Sequence, residues 1–156
     1  MFKIEIADQQ ELLEIDYERL TQIASGTLAA EGVQEAELSI ALVDDVEIRE
    51  VNRKYLGHDY ATDVVSFLLE SDGPAALDVP RARGMKLAGE VVISTQTALA
   101  CAAQYGWDAH DECLLYLVHG VLHLCGYDDQ TDEERVVMRA REAEVLSRWD
   151  LVPRYA

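Results

Sequence analysis

His119 and His123 stand four residues apart in CLLYLVHGVLHLCG, a stretch otherwise built from Leu, Val, Tyr, Cys and Gly. On a helix that spacing sends both imidazoles out from one face, about one turn apart. Two neutral imidazoles so placed suit a single metal ion. Gly126 should end the helix, and the Tyr127-Asp128-Asp129 turn can bring either aspartate back over the same face. Two imidazoles and a carboxylate are a common ligand set, and three protein ligands leave a position open for water. The competing reading is a pair of core histidines satisfied by neighbouring carbonyls, with Asp128-Asp129 merely capping the next helix. Burying two titratable rings among aliphatic side chains costs free energy unless they are paired, and an acidic turn follows at once. The metal reading is therefore preferred.

Position 120 narrows the chemistry. In H-E-x-x-H metalloproteases a glutamate follows the first histidine as general base, and here that place holds Gly120. A protease of the ordinary zincin type is disfavoured, although Glu112 or Glu90 could reach in from elsewhere. Cys125, two residues past His123, should point to another face and reads as a buried structural thiol. With Cys101 and Cys113 it makes three cysteines, none in a C-x-x-C pair, so neither a disulfide framework nor a zinc ribbon is expected.

The elements that must position these residues follow from periodicity. Phe2, Ile4 and Ile6 alternate with Lys3 and Glu5 as in a half-buried strand, and a helix is expected from Leu12 through Leu28, stopping at Gly32. EAELSIALV alternates again as a second strand. Asp44 or Asp45 can cap a helix through Tyr55 that ends near Gly57, and ATDVVSFLL reads as a third strand. Residues 71–86 hold Gly73, Pro74, Pro80 and Gly84 with little periodicity, the composition of a long functional or mobile loop. LAGEVVIS is the fourth strand, and Ser94 or Thr95 can cap a helix to Gly106. An almost wholly apolar helix over 110–125 and an amphipathic one over 131–149, opened by the capping-box pattern Thr131-Asp-Glu-Glu134, complete the chain. The order β-α-β-α-β-β-α-α-α does not alternate strictly. The expected fold is α+β, a small mixed four-stranded sheet packed with about five helices, with the metal site at the end of the buried helix.

The chain has 156 residues, 49% of them hydrophobic, enough for one domain over 1–156 with a real core. No repeat or Pro/Ser-rich linker divides it. Thirty acidic residues against thirteen basic give a formal charge of −17, which opposes non-specific binding to polyanions and requires any nucleic-acid contact to be local. The opening MFKIEIADQQELLEID has no basic region followed by an apolar one, and the most apolar stretch is far short of the ~20 residues that span a bilayer. A soluble, reducing, cytoplasmic setting with no membrane partner is the expectation.

The segment from His119 to Asp129, HGVLHLCGYDD, resembles the signature of the YbeY family of bacterial metal-dependent endoribonucleases and rRNA maturation factors, H-G-x-L-H-L-x-G-Y-D-H. It departs only at the last position. Asn52-Arg-Lys-Tyr55, Thr62-Asp-Val-Val-Ser-Phe67 and Gly89-Glu-Val-Val-Ile-Ser94 match in order as well, so the likeness runs from about residue 38 to 146. The resemblance implies an α+β fold, a role in maturing small-subunit ribosomal RNA and in ribosome quality control, and a divalent ion, zinc by expectation, held by His119, His123 and Asp129. The family usually has histidine at that third place. An aspartate can coordinate zinc, yet its charge should weaken the ion as a Lewis acid and raise the pKa of water bound to it. Leu56 is a second departure, because many members place an arginine after the tyrosine of N-x-x-Y.

The resemblance therefore points to metal-assisted hydrolysis of RNA phosphodiesters. Asp128 could orient a histidine or accept a proton, or cap a helix instead; Asp63 and Ser66 could line the cleft from the facing strand. Arg49, Arg53 and Lys54, and Arg81, Arg83 and Lys86, are the two clusters in which to look for phosphate contacts, with solvated surface the default reading of each. Arg135 and Arg139, interleaved with Glu133, Glu134 and Glu142, read as surface ion pairs. The expected partners are ribosomal RNA and small-subunit ribosomal proteins or assembly factors, whose basic surfaces would match this acidic one. The alternative is a non-catalytic ribosome-assembly factor in which the metal only staples the fold. An iron(II) oxygenase with a two-histidine, one-carboxylate triad is disfavoured for want of strands.

Overall fold

The structure is a computed structural model that describes residues 1–155. Four strands, β1 (Phe2–Asp8), β2 (Glu35–Val43), β3 (Val64–Ser71) and β4 (Lys86–Ser94), make one sheet in the order β1-β2-β4-β3. β1, β2 and β4 run parallel, and β3 closes the far edge antiparallel to β4 with Ser66 opposite Val91. The alternation read from the sequence is the one that is buried: in β2, Ala36, Leu38 and Ile40 face inward while Glu35, Glu37 and Ser39 face solvent. Four helices pack on this sheet and the fifth packs against helices, so the expected α+β architecture is the one found.

Helix α1 (Tyr17–Ala30) begins later than its leucines imply. Residues 9–16 form a turn instead, in which the Gln10 side chain accepts hydrogen bonds from the amides of Leu12 and Leu13, both at 2.9 Å, and leaves Leu12 exposed. Asp16 then caps the helix by accepting from the Arg19 amide at 3.0 Å. Helices α2 (Asp45–Leu56) and α3 (Thr95–Tyr105) are capped by Asp44 and Ser94, within the choices offered by the sequence. The loop between β3 and β4 is tied down: the Arg81 amide donates to Glu31 Oε1 at 3.0 Å and the Gly84 amide to the Gly32 carbonyl at 2.8 Å.

Helix α4 (Ala109–Leu124) is the centre of the molecule, with Cys113, Leu114, Leu117, Val118, Val121 and Leu122 fully buried. It lies so close to the sheet that a Cβ on Gly120 would fall 2.7 Å from Val91 Cγ1. Position 120 therefore points at β4, away from the face that carries His119 and His123, and no side chain there could serve as general base. Helix α5 (Asp132–Ser147) opens with the full capping box, Thr131 Oγ1 accepting from the Glu134 amide and Glu134 Oε1 accepting from the Thr131 amide. Among the described residues no helix is long and apolar enough to cross a membrane.

Candidate metal centre

The last turns of α4 present His119 and His123, and the chain then reverses. Gly126 takes φ +99°, and the Tyr127 amide donates back to the Leu122 carbonyl at 3.1 Å. The reversal returns Asp129, rather than Asp128, to the histidine face. His119 Nε2 and His123 Nε2 are 3.1 Å apart, and Asp129 Oδ2 lies 3.3 Å from the first and 3.5 Å from the second. Each side chain is about a quarter to a third exposed. A tetrahedral ion with bonds of about 2.0–2.1 Å needs ligand atoms about 3.3 Å apart, which is the triangle found.

The outer hydrogen bonds fit the same use. His123 Nδ1 is 2.9 Å from the Tyr127 carbonyl, an acceptor only, so the proton of the neutral ring belongs on Nδ1. His119 Nδ1 donates to Glu142 Oε2 at 2.7 Å. With both rings neutral, the two Nε2 lone pairs face each other and a carboxylate oxygen, an arrangement relieved by a proton on His119 or by a metal ion. The three residues could hold such an ion. Burial by itself lowers the pKa of His119, but the hydrogen bond and charge of Glu142, helped by Asp129 and Asp63, outweigh it and hold the ring above its usual value.

Beside His119 and Asp129 opens a cavity of about 250 Å³ whose wall includes Asp63, Glu112, Tyr116 and Glu142. Asp63 sits at the entry of β3, its Oδ1 accepting from the Val64 amide at 2.8 Å. Ser66 does not line the cavity. Glu112 does reach it, buried and accepting from Trp107 Nε1 at 2.8 Å, with its pKa raised by desolvation; Glu90 does not. Asp128 is exposed, forms no hydrogen bond or ion pair among the described residues and so orients neither histidine, and it leaves the α5 cap to Thr131. Cys125 is the buried thiol expected, and burial pushes its pKa upward.

Neither of the two cation clusters singled out from the sequence lines the cavity. Arg49 and Arg53 pair with Asp59 and Glu50, at 2.9 and 2.7 Å, and neither they nor Lys54 line the cavity. Arg81, Arg83 and Lys86 are also absent from its wall: the loop that carries the two arginines is pinned against the end of α1, and Lys86 is the first residue of β4. Arg135, Arg139 and Arg154 are there instead. Arg135 makes the expected surface pair, with Asp132, and also donates to the Asp129 carbonyl at 3.0 Å. Arg139 has no carboxylate partner among the described residues. Glu142, Arg154 and Tyr155 were not singled out from the sequence. The readable signal was on α5, where Arg135, Met138, Arg139 and Glu142 repeat at i, i+3, i+4 and i+7 on one face.

An α+β sheet backed by a buried helix that offers two imidazoles and a carboxylate to an open cavity defines a candidate metallohydrolase. The model of one protein family, Endoribonuclease YbeY, matches residues 5–150. The chain is 45% identical over 133 residues to Endoribonuclease YbeY of Pelotomaculum thermopropionicum, covering 85% of each chain. It is 40% identical over 147 residues to the protein of that name from Geobacillus thermodenitrificans, covering 94% of each. The solution structure of a Thermotoga maritima protein superposes with a TM-score of 0.57 over 96% of this chain and 92% of that one, at 24% identity, a likeness of fold. The chain belongs to the endoribonuclease YbeY family.

Proposed function

We propose that residues 1–156 act as one metal-dependent endoribonuclease domain that matures the 3′ end of small-subunit ribosomal RNA and takes part in ribosome quality control in the cytoplasm. The observation that carries the reading is the convergence of two Nε2 lone pairs and Asp129 Oδ2 within 3.5 Å of one another beside an open cavity. Membership of an endoribonuclease family supplies the reaction class.

In this reading His119, His123 and Asp129 bind one divalent ion, and the two-imidazole, one-carboxylate donor set suits zinc. Bound there, the ion supplies Lewis acidity toward the phosphodiester and its attacking water. Glu142 and the Tyr127 carbonyl hold both rings in the tautomer that frees Nε2. Asp63, whose Oδ1 is occupied by the Val64 amide, offers Oδ2 to the proton of the attacking water. Leu56 at the end of α2 is about half exposed and uncharged, so phosphate is held from elsewhere. The formal charge of −17 makes free RNA a poor ligand and a basic small-subunit ribosomal protein or assembly factor a suitable partner.

The test is elemental analysis of wild type, His123→Ala and Asp129→Ala, each purified without an affinity tag. About one ion per chain in wild type, reduced in both variants, is expected. Loss of RNA cleavage with an unchanged circular-dichroism spectrum in His123→Ala would assign the ion to chemistry. Unfolding of that variant would favour an assembly factor stapled by its metal, and a wild type that takes up no ion would overturn the hydrolase reading.

A further inference from the structure

The cavity beside His119 carries groups that metal binding and proton transfer do not use. Arg139 lies on α5 three residues before Glu142, and its guanidinium carbon sits 4.7 Å from the centroid of the Tyr155 ring. A guanidinium stacked on a ring spends its face there and keeps its in-plane N–H donors free. Arg154 commits Nη1 to the Gly106 carbonyl at 2.6 Å, at the C-terminus of α3, where the helix dipole favours a cation. Tyr155 ties this pair to the metal cluster. Its hydroxyl donates to Glu142 Oε1 at 2.6 Å, and the other oxygen of that carboxylate holds His119.

Among the described residues neither arginine has a carboxylate within ion-pair distance, in a chain with thirty acidic and thirteen basic residues. Arg49, Arg53, Arg135 and Arg141 all do. The acids of the same wall are committed elsewhere: Glu142 to His119 and Tyr155, Glu112 to Trp107, and Asp129 to the two histidines. Their oxygens without a hydrogen-bond or ion-pair partner among the described residues, Asp63 Oδ2, Asp129 Oδ1 and Glu112 Oε2, form no ion pair with either arginine. Two held but unneutralised guanidinium groups on the wall of a cavity that contains two candidate metal ligands are an anion site, and planar donors match a phosphate.

We propose that Arg139 and Arg154, presented by Tyr155, bind a backbone phosphate of the RNA strand next to the bond placed at His119, His123 and Asp129. The proposal rests on the endoribonuclease reading and names where that substrate is held. It gives the last described residues of the chain, 154 and 155, a part in binding.

The test uses full-length, metal-loaded protein with Arg139→Gln, Arg154→Gln, Arg139→Lys and, as a control, Arg148→Gln, an exposed cation outside the cavity. Three quantities are read: KM and kcat for a labelled RNA oligonucleotide, anisotropy binding of its slowly cleaved phosphorothioate analogue, and bound metal. Each glutamine variant at the cavity should raise KM and weaken analogue binding about tenfold, leaving kcat within about twofold and metal content unchanged. Arg139→Lys should recover part of the loss, and Arg148→Gln should match wild type. Equal weakening by Arg148→Gln would reduce the effect to bulk charge and overturn the proposal. So would unchanged binding in both cavity variants, or metal loss in Arg139→Gln, which would make that arginine a support for Glu142. Those results in a wild type that cleaves RNA reject this proposal alone, whereas a wild type that neither binds nor cleaves RNA rejects the endoribonuclease reading with it.

Discussion

Glu142 sets the protonation of His119, the candidate ligand nearest to it. It is 3% exposed and spends both oxygens, on His119 Nδ1 and on the Tyr155 hydroxyl. In metal-free protein it raises the pKa of His119 above the ordinary 6.5, so the ring keeps its proton, and resists a metal, to higher pH than a free histidine. The sign for stability follows. The contact between protonated His119 and Glu142 stabilises metal-free protein fully below the unfolded pKa, and that contribution is lost as pH rises through the folded one. Metal-loaded protein should show the reverse trend, since the ion needs the neutral ring. Melting temperatures with chelator and with zinc, from about pH 6 to about pH 8, should therefore diverge as pH rises. Glu142→Gln should shrink the divergence and weaken zinc binding about 10- to 100-fold in a chelator competition; unchanged affinity would deny Glu142 that role. His119 and His123 were legible in the sequence because both sit on one helix at a spacing that geometry alone interprets. Asp129 was one of two adjacent candidates until the family signature chose between them. Glu142 lies 23 residues from His119, and only tertiary packing reveals the bond.

The elements were read correctly wherever local signals were strong. The alternation of β2, the Thr131 capping box and the apolar run of α4 are all local, and all appear where expected. The start of α1 was not, because Gln10 offers the amides of Leu12 and Leu13 a side-chain partner that competes with the helix. Nor was the device that joins the elements around the turn after α4. Glu31, fully buried at the end of α1, accepts from Arg141 Nε of α5 at 2.5 Å and from the Tyr127 hydroxyl at 2.7 Å. The Tyr127 carbonyl in turn holds His123. Arg141→Met would leave the Glu31 carboxylate buried without its countercharge, which costs about 3–5 kcal/mol. Urea unfolding of the metal-free protein should show a loss of that size, and the zinc affinity of the folded fraction should fall as the turn loosens. A loss under about 1 kcal/mol would mean that water reaches Glu31.

On the scale of the whole molecule, charge and substrate are in conflict. A formal charge of −17 repels RNA at long range, while Arg139 and Arg154 attract phosphate only at contact. Composition made the repulsion legible from the start. The place of attraction was not legible, since the sequence clusters its cations on α2 and in the loop after β3, where carboxylates or packing absorb them. The two ranges respond differently to salt. The screening length falls from about 30 Å at 0.01 M to about 10 Å at 0.1 M, so added salt first removes the repulsion of the distant surface and only later weakens the close contacts. For a basic nuclease, kcat/KM on a short RNA should fall steadily as salt rises, through loss of counterion release. For this protein it should rise between about 0.01 and 0.1 M monovalent salt and fall beyond that. A basic protein partner bound to the acidic surface should abolish the rising limb, because it cancels the field that salt would otherwise screen. Steady-state rates on one oligonucleotide across that range check the point, and a monotonic decline from the lowest salt would show that RNA approaches without meeting the net charge.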